Sequence, residues 1–179
     1  MKIKILLILS FFWITSIFSQ EFEEMCNSIQ KFNTASEFDA IDCDIYIALG
    51  TIMHNSYSEN KSDESYAMES FTKWLEGTST YHLIIGGKIL EDCDKDDETL
   101  KIIFKACMVE FMFANHQYIH PTKNGIRYIN IYEVREVISG GAEIFMDYLS
   151  RQRKSVINKE HRKGLKLYHE GKLKEYMDS

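Results

Sequence analysis

The sequence predicts an all-α protein: a single domain of roughly six to eight helices, arranged as a bundle or as stacked helical hairpins. Apolar residues recur at intervals of three or four along most of the chain, which is typical of amphipathic helices. The 179 residues include one proline and nine glycines, so helix breakers are scarce. Hydrophobic residues make up 45% and charged residues 27%, the balance of an ordinary globular domain.

The first twenty residues predict a signal peptide and leave residues 21–179 as the helical domain. Lys2 and Lys4 precede an uncharged apolar run from Ile5 to Phe18, and Ser19 supplies a small residue at the expected cleavage position. The run is shorter than the roughly 20 residues that a membrane span needs, so we expect no transmembrane segment after the signal is removed. The alternative is an uncleaved anchor. The predicted location is the periplasm or the exterior.

The first part of the domain is predicted to form helices separated by polar breaks. A turn between Ile29 and Ala35 joins two helices, and the second helix carries a regular apolar stripe. Its members are Phe38, Ile41, Ile45, Ala48, Leu49 and Ile52. A third helix begins near Ser62, which suits an N-cap, and ends at Gly77 in the C-cap position.

The middle of the chain is more ambiguous. Residues 82–93 contain Gly86–Gly87 within an apolar run, which favours a short helix over a strand. Asp96 is predicted to cap the next helix, and Pro121 ends that region. The apolar stripe of this helix is Leu100, Ile103, Phe104, Cys107 and Phe111.

The last part is predicted to contain shorter helices. One stripe runs through Ile126, Ile129, Val134, Val137 and Ile138. It ends at Gly140–Gly141, and a second short piece follows with Ile144, Phe145, Tyr148 and Leu149. Asn158 caps a later helix that Gly171 closes, and the segment "KLKEYM" adds a last turn or two.

Charge is unevenly distributed along the chain. Without residues 1–20 the chain has 19 basic and 27 acidic residues, a net charge of −8, and residues 21–120 hold 19 of the acids against 7 bases. A basic cluster follows, whose members are Arg151, Arg153, Lys154, Lys159, Arg162, Lys163 and Lys166. One predicted helix face carries Lys159, Arg162, Lys163 and Lys166, which suits an anionic lipid surface, a polyanion or an acidic partner. The alternatives are a solvated face or attraction to the acidic first half. We expect no nucleic-acid partner for an exported, net-acidic chain.

Export would place the four cysteines in an oxidising environment. An oxidising compartment permits pairing, and Cys26 and Cys43 lie nearly equidistant from the predicted turn. The sequence therefore predicts a candidate Cys26–Cys43 disulfide. Cys93 and Cys107 fail the same test, and the alternative for all four is that they are small buried hydrophobic residues.

The histidine pair in "HQYIHP" is the one candidate for metal chemistry. His116 and His120 have the i, i+4 spacing of two zinc ligands, with His82 or Glu110 as a distant third. The glutamate of H-E-x-x-H is absent, and Pro121 disfavours a helical conformation at His120.

Two other patterns are incomplete. The run of Asp92, Asp94 and Asp96 begins like a calcium loop but lacks its glycine and its final glutamate. The Gly-Gly-Lys of "IIGGKI" lacks the remainder of a phosphate loop. We therefore predict no cofactor and no bound metal.

The segment "KWLEGTSTY" is the most distinctive in the chain. Together with the lysine-rich helix ending in "GKLKEYM" and the "FSQ" end of the signal, it resembles an uncharacterised family of exported helical proteins from Bacteroidota. The resemblance implies export and helices, and it implies no reaction. From the residues themselves, Trp74 is predicted to be a core anchor. The alternative makes Trp74, Tyr81 and His82 the wall of a binding groove.

Taken together, these patterns predict an exported, non-catalytic helical module that binds a protein or another component of the cell envelope. An immunity or inhibitor protein that neutralises a toxin is one concrete version, because an acidic first half would attract a basic partner. The alternative is a metal-dependent hydrolase that uses His116 and His120.

Overall fold

A computed structural model of the chain describes residues 20–55, 62–81, 83, 89, 97–119 and 131–177. Within these ranges the secondary structure is helical and no strand occurs. The helices are α1 (20–29), α2 (Ala35–Asp39), α3 (Asp42–His54), α4 (Ser62–Gly77), α5 (Glu98–Ala114), a 3₁₀ turn (His116–Tyr118), α6 (Ile131–Ser150), α7 (Lys159–His169) and α8 (Leu173–Met177). The all-α prediction is confirmed.

Helix α5 is the central element of the fold. It packs against α3, α4 and α6, and α7 and α8 pack on α6. Its buried side chains lie on most of its circumference rather than along one stripe: Leu100, Ile103, Phe104, Ala106, Cys107, Met108, Val109 and Met112. A helix that is apolar nearly all round is stable only when other elements surround it. The predicted stripe therefore marks only part of what this helix buries.

Helix α6 differs from its prediction, because it continues through Gly140–Gly141 without a break. The reason is the close crossing of α6 over α5. A methyl group at Gly140 would overlap the ring of Phe111, and one at Gly141 would lie 2.6 Å from Met108 Cγ and 2.9 Å from Met108 Cα. The two glycines therefore allow two helices to approach each other; they do not end one.

The predicted caps of α7 are confirmed. Asn158 Oδ1 accepts a hydrogen bond from the backbone N–H of His161 at 2.8 Å, and His161 Nδ1 accepts one from the N–H of Asn158 at 3.2 Å. At the other end, Gly171 has a φ of +68°, which favours glycine. The N–H groups of Gly171 and Lys172 close the helix on the carbonyls of Tyr168 and Leu167, as in a Schellman motif.

Three other boundaries differ from the predictions by a few residues. The N-cap of α5 is Asp97, whose side chain accepts from the N–H of Leu100 at 3.0 Å. Ser62 is the first residue of α4 rather than its cap. The stripe from Phe38 to Ile52 is divided between α2 and α3.

Some predictions fall on residues that the structure does not describe. They concern the signal peptide, Gly86–Gly87 and the stop at Pro121, and they stay predictions. In the ranges that are described, no helix has both the length and the apolar character needed to cross a bilayer.

Candidate functional site

The two cysteines proposed as a disulfide face different environments. Cys26 is buried and Cys43 is exposed, and both are free in the structure. Cys26 faces α4, where burial and a hydrogen bond to Glu69 raise the pKa of its thiol. The predicted hairpin is not a simple one, because α2 lies between α1 and α3 and Cys43 sits at the start of α3 on the solvent side. The Cys26–Cys43 bridge is therefore not formed in this structure.

His116, the described member of the histidine pair, does not lie on the face of an α-helix. Helix α5 ends at Ala114, and His116 lies exposed in the following 3₁₀ turn. His120 lies outside the described residues. No group of three His, Cys, Asp or Glu side chains able to hold a metal ion occurs among the residues that the structure describes.

The distinctive "KWLEGTSTY" segment forms an aromatic cluster in the core. Trp74 is fully buried and Tyr81 is 4% exposed, with their ring centroids 4.9 Å apart. Phe113 of α5 stacks on Trp74 at 6.4 Å and contacts Tyr81 at 5.0 Å. Trp74 therefore lies in the core, as the core-anchor interpretation expects. Neither Trp74 nor Tyr81 lines an open groove. His82 is not among the described residues.

The turn after α4 is held by Asp39 at the end of α2. Asp39 Oδ1 accepts hydrogen bonds from Thr78 Oγ1 at 2.5 Å and from the N–H of Ser79 at 3.0 Å, and Oδ2 accepts one from Ser79 Oγ at 2.6 Å. Gly77 is needed because any side chain there would overlap the ring of Phe38. The "GTS" sequence is thus explained by the docking of α2 on α4.

The pKa values of two neighbouring aspartates, Asp39 and Asp42, are shifted in opposite directions. Burial raises the pKa of Asp39, but its hydrogen bonds to Ser79 and Thr78 outweigh burial and leave it below its ordinary value. Burial raises the pKa of Asp42, which accepts a hydrogen bond from Trp74 Nε1 at 3.1 Å. Burial, with the charges of Asp42 and Asp39, raises the pKa of Tyr81 to about 12.

These opposite shifts predict a pH dependence. Ionised Asp39 stabilises the fold. This contribution to stability is fully present above the pKa of Asp39 in the unfolded chain, and it is lost as the pH falls through the lower pKa of Asp39 in the folded protein. We expect Asp39→Ala to reduce the free energy of unfolding by about 2 kcal/mol at neutral pH, because hydrogen bonds to a charged group are lost. This difference should shrink below about pH 4.

Asp42→Asn is the matched control, because asparagine keeps an acceptor for Trp74 and removes a half-buried charge. A raised folded pKa means that ionised Asp42 lowers stability as the pH rises. This variant should therefore be as stable as the parent, or more stable, at neutral pH. Urea unfolding from about pH 3 to 7 measures both effects, and a loss for Asp39→Ala that grows in acid would contradict the account.

The basic cluster is exposed on and around α7. Arg162, Lys163 and Lys166 are all exposed, and Lys166 retains 74% of its side-chain exposure. Lys163 Nζ lies 4.9 Å from the centre of the Tyr176 ring, and Lys166 Nζ lies 3.8 Å from Glu170. These contacts are local to the C-terminal helices, as in a solvated face.

An open groove between α1 and α3 is the main candidate site in the part of the chain that the structure describes. Its volume is about 520 Å³. We call it the α1–α3 groove; its lining residues are Glu21, Phe22, Glu24, Met25, Ser28, Ile29, Phe32, Ile41, Asp44 and Ile47. Its apolar side chains come from α1, from the turn after it and from α3. Ile47, on α3, is 55% exposed to solvent.

The charged residues of the groove are all acidic. Glu21 and Glu24 on α1 and Asp44 on α3 are exposed. They border apolar side chains that range from buried Phe22 to exposed Ile47. The α1–α3 groove is therefore apolar within and negative at its rim.

A second cleft along α4 is a weaker candidate. Its lining residues are Ser65, Met68, Glu69, Thr72, Lys73, Glu76 and Ile102. Glu69 and Lys73 form an ion pair at 3.0 Å, so part of its charge is neutralised within the protein. It also offers fewer apolar side chains than the α1–α3 groove.

Comparisons of the chain with protein-family models, with curated proteins and with solved structures gave no match. The function must therefore be argued from the chemistry of the site.

Sequence reasoning did not find the α1–α3 groove. The signals were present, since Phe22, Met25 and Ile29 have the spacing of one helix face and Glu21 and Glu24 flank it. The pattern predicts a buried face, however, and only the placement of α1 against α3 leaves part of that face open.

Proposed function

We propose that this chain is an exported, non-catalytic helical module that binds a partner protein of the cell envelope in the α1–α3 groove. The observation that carries the proposal is an apolar groove that stays open to solvent and includes a large, half-exposed aliphatic side chain, Ile47. Contiguous apolar surface of this kind is costly to leave in water and is common at sites of protein association.

The composition of the groove suits binding. Met25 and Ile47 supply apolar surface whose removal from water by a partner is favourable. Glu21, Glu24 and Asp44 supply charge at the rim, where it orients a partner and accelerates encounter. A hydrophobic centre with a polar edge is the usual anatomy of a protein interface.

The export component of the proposal comes from the N-terminal sequence, and the partner class from the charge. The chain after residue 20 has a net charge of −8, with the acids concentrated in residues 21–120. A basic partner outside the cytoplasm would be attracted at long range at low ionic strength. A basic toxin neutralised by an immunity-type protein has these properties.

The substitution Ile47→Glu tests the proposal. It places a charge in the apolar part of the groove, so we expect it to abolish capture of the partner. Affinity-tagged protein is incubated with envelope extract from the producing cells, and specific partners are identified at about 50 mM and about 500 mM salt. Capture by the parent chain should fall at the higher salt concentration.

The matched control is Tyr132→Glu. Tyr132 is 73% exposed on α6, so this variant makes the same kind of change away from the groove. It should capture the same partner as the parent chain. Recovery of no specific partner at either salt concentration, or equal recovery by Ile47→Glu and the parent, would overturn the proposed site.

A further inference from the structure

We infer that the ligand of the α1–α3 groove is a basic amphipathic helix of the partner protein. This inference rests on the proposed function and names the chemistry of the partner. Three features of the groove lead to it. They are the sign of its charge, the hydrogen bonding of the backbone in its walls, and the placement of its apolar side chains.

The charge of the rim selects a basic ligand. Glu21, Glu24 and Asp44 are exposed, and no lysine or arginine is found among the residues lining this part of the described chain. Lysine or arginine side chains of a ligand would meet carboxylates from both walls, because Glu21 and Glu24 belong to α1 and Asp44 to α3. The same carboxylates would repel an anionic lipid surface, so a membrane fits poorly.

The backbone of the walls selects a helical ligand. Both walls are α-helices, whose central N–H and C=O groups are hydrogen-bonded within the helix. They offer no strand edge to an extended peptide, which would place unpaired polar groups against an apolar surface. A helix satisfies its own backbone and presents only side chains to such a groove.

The apolar spacing matches a helix of two to three turns. Met25 on α1 and Ile41 on the other side are partly exposed, and Ile47 on α3 is 55% exposed. Phe22 and Ile29, three residues before and four residues after Met25, line the same groove but are buried. A ten-residue helix is about 15 Å long. Ligand residues at i, i+3 or i+4, and i+7 would therefore contact both walls along the length of α1.

Defined peptides test this inference on the full chain. The probe is a fluorescein-labelled 14-residue helix with leucine on one face and lysine on the other, and binding is followed by fluorescence anisotropy. Two further peptides serve as comparisons: one with glutamate in place of every lysine, and one with the same composition but no apolar face. We expect the lysine amphipathic peptide to bind at least about tenfold more tightly than either at low salt.

Matched charge reversals locate the interaction. Glu24→Lys should weaken binding of the lysine peptide by about three- to tenfold, and Ile47→Glu should weaken it by more than about tenfold. Glu143→Lys makes the same charge change at an exposed position on α6, outside the groove, and should leave binding unchanged. Glu24→Lys should also bind the glutamate peptide more tightly than the parent does.

The other outcomes overturn the inference. Equal binding of the lysine and glutamate peptides, or equal weakening by Glu24→Lys and Glu143→Lys, would exclude a basic ligand at this rim. A concentration-dependent dimer in light scattering that Ile47→Glu dissociates would make a second copy the occupant. If the lysine peptide binds only when Ile8→Lys and Phe12→Lys have disrupted the apolar N-terminal run, that run is the occupant of the groove.

The inference and the proposed function fail separately. Suppose that the parent chain captures a partner that the Ile47→Glu variant does not capture, while the lysine peptide binds no more tightly than the glutamate peptide. The groove is then a binding site for a ligand of different chemistry. If no partner depends on Ile47, the proposed function itself is lost.

Discussion

Replacing Trp74 with alanine is expected to reduce the free energy of unfolding by about 4 kcal/mol, the largest effect of any substitution considered. The side chain is completely buried, and its ring contacts Phe71, Tyr81 and Phe113. Alanine would leave a cavity between α4 and α5 that the surrounding aromatic rings fill only in part. It would also remove the indole N–H that donates to half-buried Asp42.

Urea unfolding followed by far-UV circular dichroism measures this loss, and two companion variants separate its causes. Trp74→Phe keeps most of the ring but loses the hydrogen bond, so it should cost about 1–2 kcal/mol. Tyr46→Ala removes a half-exposed aromatic that touches the edge of Phe113, and should cost under about 1 kcal/mol. A loss below about 1 kcal/mol for Trp74→Ala would mean that Trp74 is not a core anchor.

Adding one methyl group at Gly141 should destabilise the protein, whereas the same change at Gly50 should stabilise it. The methyl of Gly141→Ala would lie 2.9 Å from Met108 Cα, which is backbone and can yield only if α5 and α6 move apart. Overpacking costs about 1–3 kcal/mol and occasionally more, and a backbone obstacle belongs at the upper end of that range. Alanine's better helix propensity offsets about 0.5–1 kcal/mol of the cost. The expected loss is about 2–3 kcal/mol.

Gly50 is the matched control, because it also lies inside a helix, α3, and apart from its own helix backbone no atom of the described structure would lie within 4 Å of its added methyl. Gly50→Ala should therefore raise the free energy of unfolding by about 0.5–1 kcal/mol, the propensity difference alone. Gly140→Ala should be intermediate, since its obstacle is the Phe111 ring, which can rotate. Thermal unfolding ranks the three variants; equal effects at Gly50 and Gly141 would refute the close crossing of α5 and α6.

Features fixed by neighbouring residues were predictable from the sequence. Asn158 and Gly171 bound α7 because a cap depends on a side chain and backbone within one turn of it. The apolar periodicity of α3 and α5 was enough to indicate the all-α class. The cap of α5 was placed one residue early because Asp96 and Asp97 are chemically equivalent, and only the backbone geometry at Asp97 distinguishes them.

Features that depend on how helices meet were not predictable. Gly140 and Gly141 suggest a helix end when their neighbours alone are considered, but the atoms that require glycine belong to Phe111 and Met108 on another helix. Cys26 and Cys43 were paired by counting from a turn, and counting does not show which way each side chain points. The α1–α3 groove arises in the same way, because its lining comes from two helices and a turn that are far enough apart in sequence for their neighbours not to show how they meet.

One wall of the groove, helix α1, is held in place by side chains of its described part. Phe22, Cys26 and Ile29 are buried and anchor residues 20–29 to the rest of the protein, and most helices in proteins owe their stability to such packing rather than to the helix alone. A ligand clasped between α1 and α3 would tie this helix down further, which links affinity to local folding by mass action. Loosening an anchor such as Cys26 would then weaken association in proportion to the fraction of molecules with an intact wall, although no atom touching the ligand had changed.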